Sequence, residues 1–203
     1  MDQMAIVDAK LYVSLELLDR NNFFTPAERG VIVVIDTVTD QVLSSITLTG
    51  GNPFSDTKGL VVSDGALVIA ETGKFGVNDG GIERIDLATN TAQGFFVSDA
   101  DLGGDINDFV LVSDHNAYAV ISHTDFTDSV VEFDPATRTI TRTLSTGSDF
   151  VSDLELNDRG ELYAADRSAT RPGIRIFRAA DGTELTTAPL DLGLPPFDIV
   201  FLP

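Results

Sequence analysis

The chain has 203 residues, 43% of them hydrophobic and 22% charged, which is the composition of a folded protein with room for one core or two small ones. Thirteen Lys and Arg stand against 32 Asp and Glu, so the formal charge is −19. That sign excludes phosphate-driven nucleic-acid binding and suits cationic ligands, metal ions or basic protein patches. With no cysteine there are no disulfides or thiolate metal sites.

From the start, MAIVDAKLYVS (4–14) reads as strand, turn, strand, and nothing in MDQMAIVDAK reads as a signal peptide. A long segment (15–30) follows, then VIVVIDTVTDQVLSSITL (31–48), again a strand, a tight turn and a strand. The pattern repeats in order: LVVSDGALVIA (60–70) with GIERIDLATNTAQGFFV (81–97), VLVSDHNAYAV (110–120) with VVEFDPATRTITRTL (130–144), and LELNDRGELYA (154–164) with IRIFRAADGTELTTAPL (174–190). The turns DTVTD, DLATN, DPATR and RAADG carry the Asp, Asn, Pro and Gly that tight turns require. Helical periodicity is absent, and no apolar run approaches the roughly 18 residues of a membrane helix, so no membrane insertion is expected.

Four strands every 45 to 56 residues is the period of a β-propeller blade. A generic β-sandwich also has short strands and turns, but a fixed four-strand unit favours the propeller. Strands such as Val31–Ile35, apolar on both faces, fit sheets packed between two others. The expected fold is all-β: one propeller domain over 1–203, with four blades of four antiparallel strands at about 2–48, 58–97, 108–144 and 152–190. A surplus strand at 197–202 begins or completes another blade. The chain is then a segment or half of a seven- or eight-bladed ring, completed by more polypeptide or by a second copy. A four-bladed monomer with one terminal strand displaced is the alternative.

VIVVIDTVTDQVLSSITLTG, with LYVS, LVIA, AYAV and LYAA at the second strands, resembles the YVTN-type β-propeller repeats of bacterial surface and secreted proteins. The resemblance covers nearly the whole chain and is weakest in blade four, where FRAADGTE replaces the Ile-Asp turn. It implies a repeat fold and an extracellular, periplasmic or envelope location, and it implies little about activity.

The turns joining first to second and third to fourth strands are all short. The long segments, 15–30, 49–59, 71–81, 97–108, 122–129 and 166–173, therefore lie together on the opposite face, where function is expected. Ten residues before the aligned positions Tyr12, Val68, Tyr118 and Tyr163 stand Asp2, Lys58, Asp108 and Asp153, and Asp198 falls in the same slot 45 residues after Asp153. With Asp105 and Asn107 these read as residues of a channel mouth. Carboxylates ~5 Å apart repel by about 3 kcal/mol at an effective dielectric of ~20, so something must relieve them. Ca2+ held by Asp108, Asp153 and Asp198 is one answer; Lys58, water, or hydrogen bonds from backbone N–H groups are others.

DADLGGD (99–105) is a poor calcium loop, because its twelfth position is Val110 rather than Glu. His123, Asp125 and Asp128 are a weak transition-metal candidate. Phe23, Phe24, Phe54 and Phe75, edged by Arg20, Asn22 and Arg29, either pack on their own scaffold or form a partner patch. GxSxG, HExxH, P-loop and GxGxxG motifs are all missing, and no cysteine nucleophile exists. The expected function is a non-enzymatic binding or scaffold module that uses the long-loop face for a protein or small ligand. The alternative is a calcium-dependent propeller hydrolase, resembling lactonases or phytases, that uses the channel carboxylates.

Overall fold

The computed structural model describes residues 4–53, 61–63 (backbone) and 65–202. Blade one is built from β1 (Met4–Val7), β2 (Lys10–Leu15), β5 (Val31–Asp36) and β6 (Gln41–Thr47); the loop between β2 and β5 holds a small hairpin, β3 (Leu18–Asp19) with β4 (Thr25–Pro26). Blade two contains β7 (Val61–Ser63), β8 (Ala66–Glu71), β9 (Gly81–Asp86) and β10 (Thr91–Ser98). A single helical turn, α1 (Asp99–Leu102), leads into blade three: β11 (Asp105–Ser113), β12 (Asn116–Ser122), β13 (Asp128–Asp134) and β14 (Thr139–Ser148). Blade four has β15 (Val151–Leu156), β16 (Glu161–Asp166) and β17 (Gly173–Arg178). Sequential strands pair antiparallel throughout, as in a meander.

Alternation along each second strand sends side chains to opposite neighbours. Leu67 and Ile69 of β8 pack with Tyr12, Ile32, Val34 and Leu48 of blade one. Between them, Val68 and Ala70 pack with Phe109, Ala117 and Phe133 of blade three. In the same way Tyr118 and Val120 turn to Leu154, Leu162 and Phe177 of blade four, while Ala119 and Ile121 turn back to blade two. Three apolar interfaces thus join four sheets in chain order.

The outer turns repeat one local device. Asp36 accepts the N–H groups of Val38 and Thr39 (both 2.8 Å), Asp86 those of Ala88 and Thr89, and Asp134 those of Ala136 and Thr137. Those backbone bonds hold the Asp36 and Asp86 carboxyls below the usual range. Each turn closes on a residue with positive φ: Asp40, Asn90 and Arg138.

Blade four departs from the expected four strands. Among the described residues its outer segment pairs with β17 through two isolated bridges, Phe177–Glu184 and Ile174–Leu190, rather than a continuous ladder. Between these bridges two residues of β17 face five on the outer segment, and the Thr186 hydroxyl replaces a backbone acceptor for the Ile176 N–H. Pro189 cannot donate to a ladder, which confines this segment to an irregular edge. The expected surplus strand at 197–202 is not in a sheet either, although it lies against blade four.

Candidate functional site

The inner-strand aspartates were expected at a channel mouth, and the structure places three of them in buried positions. Asp105, Asp108 and Asp153 are at most 2% exposed. Asp108 accepts the N–H of Phe109 (2.8 Å) through Oδ1 and that of Leu154, on the next blade, through Oδ2 (2.7 Å). Asp153 repeats the step one blade on, accepting the Ile199 N–H (2.5 Å). Asp105 accepts the Gly76 N–H (2.6 Å), and burial pushes its carboxyl up. Asn107 donates to the Ser122 hydroxyl, which donates to Asp128, which accepts the Val151 N–H of blade four (2.7 Å). Asp198 is exposed on the tail, and Asp2 and Lys58 lie outside the described residues.

Backbone amides thus serve the slot carboxylates: that of Leu154 fastens blade three to blade four, and that of Ile199 fastens the tail to blade four. The three metal candidates have separate partners: Asp108 turns to blade four, Asp153 to the tail, and Asp198 faces solvent. Among the described residues no three His, Asp or Glu are arranged to hold a metal ion. His123 pairs with the Ser129 hydroxyl (2.9 Å), and Asp125 accepts from Thr127.

The DADLGGD segment has a structural use. Ser98 caps α1 in a reciprocal pair with Asp101, and Gly103 closes it with φ 82°. Asp99 is buried, accepts the N–H groups of Gly80 (2.8 Å) and Ile106 (3.0 Å), and so ties blade two to blade three. Burial pushes its carboxyl up to about 7 despite those bonds.

A buried carboxyl pair lies behind the long loops. Glu71 and Glu83 are both fully buried on one face of β8–β9. Glu83 accepts the N–H groups of Thr49 (2.9 Å) and Gly94 (2.7 Å) and the Thr49 hydroxyl; Glu71 Oε2 accepts the Gly50 N–H (2.5 Å). Glu71 Oε1 has no partner among the described residues while both groups are ionised. Burial, and then the hydrogen bond and charge of Glu83, push Glu71 up to about 10, and Arg29 pulls weakly the other way. Glu71 thus carries the proton that its bare oxygen needs, donated to Glu83.

In front of this pair stands the aromatic patch. The β3–β4 hairpin tip presents Phe23 and Phe24, 96% and 61% exposed, beside exposed Arg20 and Asn22. Both phenylalanines have left-handed backbone, φ 52° and 56°, fixed by N–H bonds of Asn22 and Phe24 to the Asp19 carbonyl. Phe75, on the loop after β8, faces them across a groove of about 300 Å³ lined also by Pro26, Asn52, Thr72 and Lys74. Phe75 stacks on Phe126 of blade three, centroids 5.2 Å apart and 17° between planes; Phe126 has φ 63° and is 74% exposed. Arg29 is exposed and is not among the residues lining the groove, and Phe54 lies outside the described residues.

Sequence reasoning missed Phe126, Lys74 and the carboxyl pair. A signal for Phe126 was present: Phe75 and Phe126 each stand four residues after the last residue of their blade's second strand, Glu71 and Ser122.

These sheets, meandering and apolar on both faces, define the chain as part of a β-propeller. A WD40 β-propeller domain of Doa1 has a TM-score of 0.54 and 14% identity, over 92% of this chain and 52% of its own. BamB from Moraxella catarrhalis has a TM-score of 0.42 and 14% identity, over 81% of this chain and 40% of its own. The chain thus spans about half the length of the solved propellers it matches. No family model matches it, and no curated protein does.

Asp108→Ala strands the Leu154 N–H between blades three and four, and urea unfolding should show a loss of about 2–3 kcal/mol. Asp198→Ala, on the exposed tail, should stay within about 0.5 kcal/mol of the parent protein. Equal losses would mean that the Asp108 bond is not the fastening.

Glu71 predicts a pH slope of stability. Between pH 7.5 and 9.5 the folded chain holds a proton that the unfolded chain, with an ordinary value of 4.5, has released. Stability therefore falls as pH rises through this window, by at most about 1.4 kcal/mol per unit. Asp99, at about 7, adds the same sign of slope only below the window. Glu71→Gln should flatten the slope and stabilise the chain by about 1–3 kcal/mol at pH 9, read by denaturant unfolding followed by circular dichroism.

Proposed function

We propose that this chain is a non-enzymatic propeller module of YVTN type that binds a protein partner or small ligand through its long-loop face. One observation carries the reading: Phe23, Phe24, Phe75 and Phe126, from three successive blades, stand exposed together on that face. Three of them sit in left-handed backbone, which costs about 1–3 kcal/mol per residue in a folded chain. Covering such a ring on binding is worth about 1.5–3 kcal/mol. The groove admits one or two apolar side chains, and Lys74 at its wall offers a cation to an acceptor beside them. The repeat resemblance supports an extracellular or envelope location. Blades from outside the arc, in a second copy or another polypeptide, complete its ring.

A calcium-dependent hydrolase finds less support, because Asp108 already accepts two backbone N–H groups and Asp153 one. Melting should therefore be unmoved by excess EDTA or added calcium. A calcium-dependent rise of several degrees would restore the hydrolase reading.

Changing Phe23 and Phe24 together to Ser should leave urea stability within about 1 kcal/mol of the parent, since neither ring is in the core. It should weaken a partner retrieved by crosslinking at least about tenfold. Undiminished binding would remove the aromatic face from the function.

A further inference from the structure

The tail from Pro196 onward is held against blade four. The Pro196 carbonyl accepts from Arg167 (3.0 Å) and Ser152 (3.3 Å), and the Arg167 guanidinium lies over Phe197. Phe201 meets Tyr163 edge to face, with centroids 5.0 Å apart. Most telling is the Ile199 N–H on Asp153. It lies 46 residues from its acceptor, as the Leu154 N–H lies 46 residues from Asp108. Ile199 therefore stands to blade four as Leu154 stands to blade three, and Leu154 belongs to the inner strand of a sheet.

In every blade of this chain the inner strand is paired to a second strand: β1 to β2, β7 to β8, β11 to β12 and β15 to β16. Residues 197–202 hold the inner-strand position without any such ladder, and Phe197, Val200 and Leu202 are 61%, 74% and 86% exposed. A cleft of about 590 Å³ opens beside Phe201 and Leu202.

We infer that residues 197–202 are donated as the inner strand of a further blade, whose other three strands come from polypeptide outside this arc. The inference rests on the reading above that blades from elsewhere complete the ring. It commits to a partner of one kind: a three-stranded antiparallel sheet with a vacant inner edge and an apolar face. A second copy does not supply one, because each of its own blades already has that edge filled. Register follows from the slot. Val110 lies opposite Tyr118 and Glu155 opposite Tyr163, each two residues after its slot aspartate. Val200, two after Asp198, lies opposite the corresponding residue of the partner's second strand. Asp198 is placed to accept a backbone N–H from whatever inner strand follows.

The test is amide hydrogen exchange at Val200 and Leu202 in the full chain. It is run alone, with a synthetic peptide of residues 114–149 (blade three's strands without the inner one), and with those residues fused after Pro203 to remove any limit of affinity. Fast exchange in the chain alone, slowing roughly 100-fold in the fusion or with the peptide, is the expected result. Val200→Pro, which removes an amide at an exposed position, should abolish the slowing while urea stability of the parent arc is kept. The proposal is overturned if neither addition protects these amides, or if V200P leaves the protection unchanged. Protection that grows with concentration in the chain alone would make a second copy the occupant and also overturn it. None of these outcomes touches the aromatic groove, so this proposal and the binding reading fail separately.

Discussion

Each sheet of this chain is apolar on both faces, so no blade is stable without a neighbour. β8 shows the constraint in four residues: Leu67 and Ile69 are buried against one blade, Val68 and Ala70 against another. Hydrophobic burial is non-directional, however, and does not set the angle or height at which two sheets meet. Carboxylates do that. Asp99, Asp108 and Asp128 each reach from one blade to a backbone N–H at the inner strand of the next. A sheet displaced by one residue would leave both a buried charge and a buried amide unpaired, and so the apolar interfaces have one register.

The same constraint explains why the fold was legible and the aspartates were not. Strand alternation and the Asp-x-x-Thr turns are local: Asp36, Asp86 and Asp134 each bond amides two and three residues away. Asp108 could be placed at the head of its strand by counting. Its burial could not, because the Leu154 amide that donates to its carboxylate is 46 residues away on another sheet. Glu71 and Glu83 were hidden for a related reason. β8 and β9 pair Ile69 with Glu83 and Glu71 with Gly81, so the two acids are diagonal neighbours only once the register is known. Blade four's outer strand was misjudged because TELTTAPL has strand-like spacing but little apolar content, and its proline breaks the ladder.

A net charge of −19 also has to be held in a compact form. Much of the buried acid is neutralised without cations. Backbone N–H groups serve Asp108, Asp153 and Glu83, and burial pushes the Glu71 carboxyl up towards its neutral form. Arginine serves others: Arg142 pairs with Glu132 at 3.2 Å, and Arg175 lies between Glu184 (2.9 Å) and Asp166 (3.8 Å).

The two halves of the long-loop face obey opposite rules. Around Asp99 and Asp105 every turn closes inward, and loop amides such as those of Gly76 and Gly80 are spent on buried carboxylates. At Phe23, Phe24 and Phe126 the backbone takes left-handed angles that turn large apolar rings outward. Asn or Gly at those positions would relieve the backbone, and a polar side chain would remove the exposed surface. Loop closure needs neither the strain nor the rings, because the bonds to the Asp19 and His123 carbonyls are made by main-chain N–H groups. The rings are thus excess to folding, gathered on one face by three blades that the carboxylate fastenings hold at fixed height.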